Sequence, residues 1–248
     1  MSSLSIICVY NNQEVLKACL LKGLEAQKNK DYELILLDNR SNQFSSAAKA
    51  LNYGAKQAKS NYLVFSHQDI RMDTPDTIDK IIEYFNSGLS FFGSSGVKKY
   101  EAKMISNVYT ANYDDSFYAN KLCKRINNPV KVETLDECFI CLTKDVFYSL
   151  GSFDEILCNN WHMYSVDLSL TAKEHGVGVY SVPLSLFHKS GGVISKSFIN
   201  NLKGVCKKHH LIWAAMPCYH FFAFPPFMWA LYYYWQFTYF LYRKRLKA

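Results

Sequence analysis

The sequence predicts an α/β protein with a mostly parallel central sheet and helices on both faces, and three observations carry that expectation. Short apolar runs alternate with helix-patterned segments along the first 85 residues, joined by connections short enough for consecutive β-α units. Each apolar run halts at polar residues of the kind that line crevices at the carboxyl ends of parallel strands. Of the 248 residues, 49% are hydrophobic and 16% aromatic, enough to cover both faces of a sheet, and this composition excludes an intrinsically disordered chain.

The elements follow in order. Residues 4–10 (Leu-Ser-Ile-Ile-Cys-Val-Tyr) form the first strand, which stops at Asn11-Asn12, a turn and helix-capping pair. Over residues 13–27, Val15, Leu16, Cys19, Leu20 and Leu24 recur at helical spacing, with lysines on the other face. Residues 32–37 give a second buried strand ending at Asp38-Asn39-Arg40-Ser41, and the alanine-rich stretch 47–58 a second helix. Residues 62–66 are apolar and β-prone, as expected of a strand buried on both faces, and stop abruptly at His67-Gln68-Asp69. A third helix over 78–85 follows Pro75, which suits a first-turn position. In a parallel sheet these three strand ends share one edge. Asn11, Asp38 with Ser41, and His67 with Asp69 are therefore expected to converge on one crevice.

Beyond Phe92 the pattern loosens. Residues 98–128 are polar and rich in Tyr and Asn, which predicts edge strands and a long loop of the sort that shapes a binding surface. Residues 130–142 read as a strand, 144–150 as a short helix ended by Gly151, and 164–175 as an amphipathic helix stopped by Gly176. A strand over 177–182 leads through Pro183 to Phe187-His188-Lys189-Ser190-Gly191-Gly192. The eight cysteines have no framework spacing. Cys138 and Cys141 form a lone C-x-x-C with no second pair to complete a zinc site, so free structural thiols are expected.

In this order the motifs resemble those of the family 2 type of glycosyltransferases, with the GT-A fold, and within it a bacterial branch in which His-Gln-Asp replaces the usual Asp-x-Asp. The resemblance runs from about residue 4 to residue 192. It rests on Val-Tyr-Asn after the first strand, Leu-Leu-Asp-Asn-Arg-Ser after the second, and Phe-Ser-His-Gln-Asp-Ile after the third. It rests further on Thr-Leu-Asp-Glu followed by Gly-Ser-Phe-Asp-Glu, and on Tyr-Ser-Val-Asp-Leu-Ser-Leu before Phe-His-Lys-Ser-Gly-Gly. The resemblance implies a nucleotide-sugar donor, UDP- or dTDP-linked, whose nucleoside meets Val9, Tyr10, Asn11, Asp38 and Ser41, with His67 and Gln68 beside them. It also implies that Asp69 binds a divalent metal, that His188 completes the metal or pyrophosphate site, and that Lys189 and Ser190 face phosphate. Mn²⁺ is favoured over Mg²⁺, because imidazole at position 67 suits it better. Inverting members carry an acidic pair one turn before the Asp-Leu of the late helix. Here those positions read Tyr164-Ser165, and a serine hydroxyl cannot deprotonate an acceptor unaided at neutral pH. The carboxylates open for that role are Asp167, Asp136 and Glu137.

The net charge of +7 hides a division: beyond Glu174 there is no acidic residue, so that part carries +9 and the first 174 residues −2. Residues 211–242 hold no formally charged side chain and are dense in Trp, Tyr and Phe. The piece uninterrupted by proline, 227–242, is shorter than the ~20 residues a spanning helix needs, and a basic cluster follows it. Aromatic and basic residues together mark a membrane interface. The expected organisation is a GT-A glycosyltransferase domain over residues 1–200 and an aromatic, basic, helical membrane-association segment over 201–248. An anionic membrane surface, rather than nucleic acid, is the expected partner of the tail. With no signal-peptide pattern ahead of the first strand, the expected location is cytoplasmic, peripheral on the inner face of the cell membrane. The other reading of the tail is a packing or self-association segment, giving a homodimer.

The expected activity is transfer of a hexosyl or deoxyhexosyl group to a lipid-linked or surface-polysaccharide glycan, with inversion. The alternative is a catalytically silent relative that binds a glycan or a partner at the membrane, and Tyr164-Ser165 favours it. A nucleotidyltransferase is disfavoured, since no Gly- and Arg-rich loop follows the first strand.

Overall fold

The computed structural model describes residues 3–99, 103–110, 123–189, 195–211, 214–216 and 221–223, and beyond them residues 226, 227, 229, 230, 232–234 and 237. β1 (Leu4–Tyr10) leads into α1, which runs over Gln13–Leu16, loosens into a π turn at Lys17–Leu21 and closes at Lys22–Glu25. β2 (Tyr32–Asp38), α2 (Ala47–Gln57), β3 (Tyr62–Ser66), β4 (Ile70–Met72) and α3 (Thr77–Asn86) follow. The start signal at Asn12 acts as expected, its side chain accepting from the Val15 amide, and Ser46 caps α2 in the same way by accepting from the Lys49 amide. β5 (Phe91–Gly93), β6 (Ser95–Val97), β7 (Met104–Ser106), β8 (Tyr109–Thr110) and β9 (Cys123–Lys124) occupy the region without clear period.

The single strand expected over 130–142 is three: β10 (Val130–Lys131), β11 (Thr134–Leu135) and β12 (Phe139–Thr143). The chain leaves the main sheet after β10, pairs β11 with β6, and returns to the main sheet as β12. α4 (Lys144–Ser149), α5 (Tyr164–Glu174), β13 (Tyr180–Ser181), β14 (Leu186–His188) and α6 (Lys196–Lys208) complete the body. α6 starts ahead of the helical segment expected from residue 201, and Phe198, Ile199, Leu202, Val205 and Cys206, at helical spacing, are all buried. The sequence reading placed the stretch from residue 201 in a helical membrane-association segment. The boundary expected at residue 200 falls inside α6.

The main sheet has the order β10-β13-β5-β12-β3-β1-β2. β1 pairs in parallel with both β2 and β3, and β13 with β5, whereas β12 runs antiparallel between β3 and β5. The sheet is mostly parallel in direction, as expected, with β12 and β10 reversed. Two cores flank it. α2, α5 and α6 cover one face over Ile7, Phe65, Phe91 and Leu142; α1 and α3 cover the other over Ile6, Cys8, Val64 and Phe92. Gly54 lets α2 press close to the sheet, since a Cβ there would lie 2.5 Å from the Ile7 side chain.

The seven described cysteines are free and buried. Burial pushes the thiols of Cys138 and Cys141 well up, which keeps them unreactive. Among the described residues no helix is long and apolar enough to cross a membrane. Trp229 and Tyr232 pack against the α2/α5/α6 core, while Phe227, Tyr233, Tyr234 and Phe237 are exposed. The basic cluster from Arg243 onward lies outside the described residues.

Candidate active site

β3 delivers its end to the open edge of the sheet, where the chain turns through His67-Gln68-Asp69 into β4. The turn is fixed from beneath by the His67 amide, which donates to the Cys138 carbonyl at 2.9 Å. β14 runs antiparallel to β4 with His188 opposite Ile70, and the Lys189 amide donates to the Asp69 carbonyl at 3.1 Å. That register brings two segments more than a hundred residues apart to one point. His188 Nε2 lies 3.5 Å from Asp69 Oδ1, and His67 Nδ1 lies 3.9 Å from the same oxygen.

One ligand atom from each of His67, Asp69 and His188 falls within 4.8 Å of the other two. His188 Nε2 is buried with no hydrogen-bond partner, a costly state that coordination would relieve. Two imidazoles and one carboxylate are a donor set that suits a divalent first-row transition ion. The residues present therefore fit such an ion.

Tyr164 sets the tautomer of His67. Its hydroxyl has one proton and donates it to the Glu137 carbonyl at 3.2 Å, so its 3.1 Å contact with His67 Nε2 requires that nitrogen to carry a proton. The lone pair is then on Nδ1, which faces Asp69. Burial, with His188 alongside, holds the His67 imidazole below its ordinary value, so at neutral pH it is in the neutral, ligating form. At His188 burial pulls the same way, but the facing Asp69 carboxylate, with Asp136 beyond it, prevails and holds the imidazole above its ordinary value. Tyr164 thus braces the site from the first turn of α5.

At the ends of β1 and β2, Tyr10 and Asp38 sit opposite each other in register. Arg40 was not foreseen there. Its guanidinium holds both oxygens of Asp38, bonds Gln13 Oε1 at 3.0 Å and lies 5.9 Å from the centre of the Tyr10 ring. The Arg40 guanidinium keeps the Asp38 carboxyl well below the usual range. Gln68 reaches across the edge: its Oε1 accepts from the amides of Asn11 and Asn12 at 3.1 and 3.0 Å, and its Nε2 donates to Asn11 Oδ1 at 2.8 Å. The Gln68 amide thus ties the end of β3 to the end of β1. Val9 is half-buried against the core, Ser41 is exposed in the turn after β2, and Lys189 is exposed beside His188. Ser190 lies outside the described residues.

The three carboxylates separate. β12 runs toward the opposite end of the sheet from β3, so the residues just before it, Asp136 and Glu137, lie at the crevice edge. Asp136 Oδ1 accepts from the Cys138 amide at 2.9 Å, and its charge is felt by His67, His162 and His188. Glu137 is buried; desolvation, with Asp136 adding to it, raises its pKa well above the ordinary value against the amides of Met163 and Tyr164. Asp167 is held elsewhere. Its Oδ2 bonds Lys208 Nζ at 2.8 Å and its Oδ1 bonds His209 Nε2 at 2.8 Å, so it fastens α6 to α5.

Comparison with known proteins was informative at two levels. Residues 5–202 match the glycosyltransferase-like family. A curated protein of Fuscovulum blasticum, described as ATP synthase subunits region ORF 6, is 27% identical over 172 residues, which cover 67% of this chain and 66% of that protein. Among solved structures, GalNAc-T7 with UDP, GalNAc and Mn²⁺ superposes with a TM-score of 0.60 at 13% identity, over 86% of this chain and 48% of that one. Staphylococcus aureus TarS 1-349 with UDP-GlcNAc superposes at 0.58 and 12% identity, over 83% of this chain and 66% of that one. The chain thus spans less than two thirds of the length of these relatives, and the structural likeness establishes the GT-A fold.

Proposed function

This chain belongs to the glycosyltransferase-like family, and from that premise we propose that it moves a sugar from a UDP- or dTDP-sugar to a glycan or lipid-linked acceptor, with a divalent ion and with inversion. The observation that carries the reading is the meeting of His67, Asp69 and His188 at the end of β3, on the same sheet edge as Tyr10 and Asp38.

In this reading Tyr10 offers an aromatic face to the nucleobase and Asp38 accepts an N–H from it, with Arg40 moving off or stacking as the donor enters. Asn11 and Ser41 frame the ribose, Gln68 holds the two strand ends at fixed spacing, and Lys189 faces phosphate. His67, Asp69 and His188 would hold the ion, Mn²⁺ by their donor set, which supplies positive charge to the diphosphate as it departs. The acceptor hydroxyl attacks the anomeric carbon from the side opposite the diphosphate in one displacement, which inverts the configuration there. Asp136 and Glu137 are the carboxylates placed beside that path.

The exposed face of Phe227, Tyr233, Tyr234 and Phe237 supports a tail that rests on the cytoplasmic side of an anionic membrane next to a lipid-linked acceptor. The silent-relative reading has one observation in its favour: Ser165, at an acid position of inverting relatives, has its hydroxyl buried without a hydrogen-bond partner.

The test is release of nucleoside diphosphate from UDP-, dTDP- and GDP-sugars by the purified full chain, with Mn²⁺, Mg²⁺ or chelator. Release from one donor, lost with chelator and in Asp69→Ala, is the expected result. Absence of release together with absence of nucleotide binding refutes the enzyme reading and leaves the binding module.

A further inference from the structure

The base position is the least defined part of the reading above, and the structure places a group near it that the sequence motifs did not indicate. His162 lies two residues before α5. Its backbone is pinned on both sides: the amide donates to Asn160 Oδ1 at 3.0 Å, and the carbonyl accepts from Asn201 Nδ2 at 3.2 Å. The next residue, Met163, is fully buried yet has φ of +76°, a left-handed conformation that a side chain larger than glycine adopts at a cost. The amides of Met163 and Tyr164 face the buried Glu137 carboxylate, which anchors this unusual turn. One face of the His162 ring packs edge-on against Phe198 of α6 with ring centres 5.4 Å apart, and Nδ1 lies 4.0 Å from Glu137 Oε2. The side chain is 29% exposed, against 9% for Glu137, so the imidazole is the member of the pair with an open side. Asn160 and Asn201, whose side chains hold the His162 backbone, also line a groove of about 570 Å³ with Asn159, Asn200, Asp154 and Lys208, polar groups of the sort that hydrogen-bond sugar hydroxyls.

We propose that His162 is the general base for the acceptor hydroxyl and that Glu137 is its positioning residue. This rests on the glycosyl-transfer reading. The acceptor oxygen forms its bond to the anomeric carbon as the bond from that carbon to the diphosphate oxygen breaks. The diphosphate leaves with the electron pair, and the hydroxyl proton passes to Nε2 of His162. Glu137, 4.0 Å away on the Nδ1 side, acts by holding the Met163 and Tyr164 amides, and so the turn from which the ring projects. Asp136 is turned to a different task, since its charge reaches the metal-site histidines and its Oδ1 is taken by the Cys138 amide. Burial and the nearby His67 hold the His162 imidazole below its ordinary value, so it enters the reaction neutral at physiological pH.

The experiment uses the full chain with Mn²⁺ and four donors, UDP-glucose, UDP-galactose, UDP-GlcNAc and UDP-GalNAc, and reads UDP release with water as acceptor. His162→Ala and His162→Gln should each lose about 10²-fold or more in kcat while UDP affinity stays within a factor of about two. Added imidazole should restore part of the turnover of His162→Ala and none of Asp69→Ala. Glu137→Gln should lower kcat by a smaller factor. A His162→Gln variant that turns over donor as the wild type does, or a loss in His162→Ala that imidazole leaves untouched, overturns the assignment and leaves the transferase reading standing. Should His162→Ala fail to fold, His162→Gln decides alone, by loss of kcat at unchanged UDP affinity. Where the four UDP-sugars are silent, dTDP- and GDP-sugars replace them, and a wild type that neither binds nor turns over any of these donors removes the premise, and the inference with it.

Discussion

Asp167 allows a decisive experiment, because sequence motif and structure give it different duties. Replacing it by Asn keeps size and removes the charge that His209 and Lys208 share. His209 is 2% exposed and both its ring nitrogens meet carboxylates, Asp167 Oδ1 at 2.8 Å and Glu174 Oε1 at 2.7 Å, so the ring carries both protons in the folded state. Removing one partner of a buried ion pair costs about 3–5 kcal/mol. The low end applies here, since Glu174 remains and Lys208 is 37% exposed and keeps Asp154 at 3.1 Å. A loss of about 3 kcal/mol corresponds to a drop of roughly 6–12 °C in Tm for a chain of this size.

The pH dependence gives a second signature. Burial would pull the His209 imidazole down, but Asp167 and Glu174 prevail and hold it above its ordinary value. A group raised in the folded state contributes stability that is fully present below its unfolded pKa of about 6.5 and is lost as pH rises through the folded value. The wild type should therefore lose stability as pH climbs above about 6.5, and Asp167→Asn should show a weaker slope. Urea unfolding across pH 5.5 to about 9, run beside donor turnover, reads both. If Asp167→Asn keeps wild-type stability and slope but abolishes turnover, the clasp argument fails and Asp167 returns as the base.

Two further outcomes follow from the geometry. Tyr164→Phe removes the hydroxyl that fixes the His67 tautomer and should weaken Mn²⁺ binding by about 10–100-fold in calorimetry, with the fold intact by circular dichroism; unchanged affinity would remove Tyr164 from the site. Changing Phe227, Tyr233, Tyr234 and Phe237 together to Ser should abolish flotation with phosphatidylserine-containing vesicles and leave soluble donor turnover unchanged, whereas retained flotation would place the membrane contact elsewhere.

The first half of the fold was legible because its signals are local. Strand runs of period two or continuous burial, capping residues such as Asn12 and Ser46, and polar stops at Asn11, Asp38 and His67 all act within a few positions. The later part was read less well because non-local pairing decides it. Residues 130–142 carry strand propensity throughout, and only their alternating partners, β13, then β6, then β3 and β5, break them into three. The site shows the same division. Asp69 and His188 stand in short motifs, but Arg40 over Tyr10 and the Tyr164 brace depend on where side chains meet across the sheet edge. Asp167 occupies a family-like position, and the residues that hold it, Lys208 and His209, lie some forty positions on, at the end of a helix whose packing against α5 no local signal reveals.

The reversed β12 also has a consequence for synthesis at the ribosome. β3 has one flank on β1, and its other flank is closed by a strand that ends at Thr143, 77 residues after Ser66. At about 5–20 residues per second, the nascent chain carries an unpaired apolar edge for roughly 4–15 seconds before its closing strand is made. Stalled chains ending between β3 and β12 should recruit chaperones and aggregate when released, and chains long enough to expose residue 143 beyond the tunnel should do so far less; equal behaviour at all lengths would show that the edge is covered by other means. The element that carries Asp136 and Glu137 to the crevice is thus also the one whose late arrival sets the window of greatest risk during biogenesis.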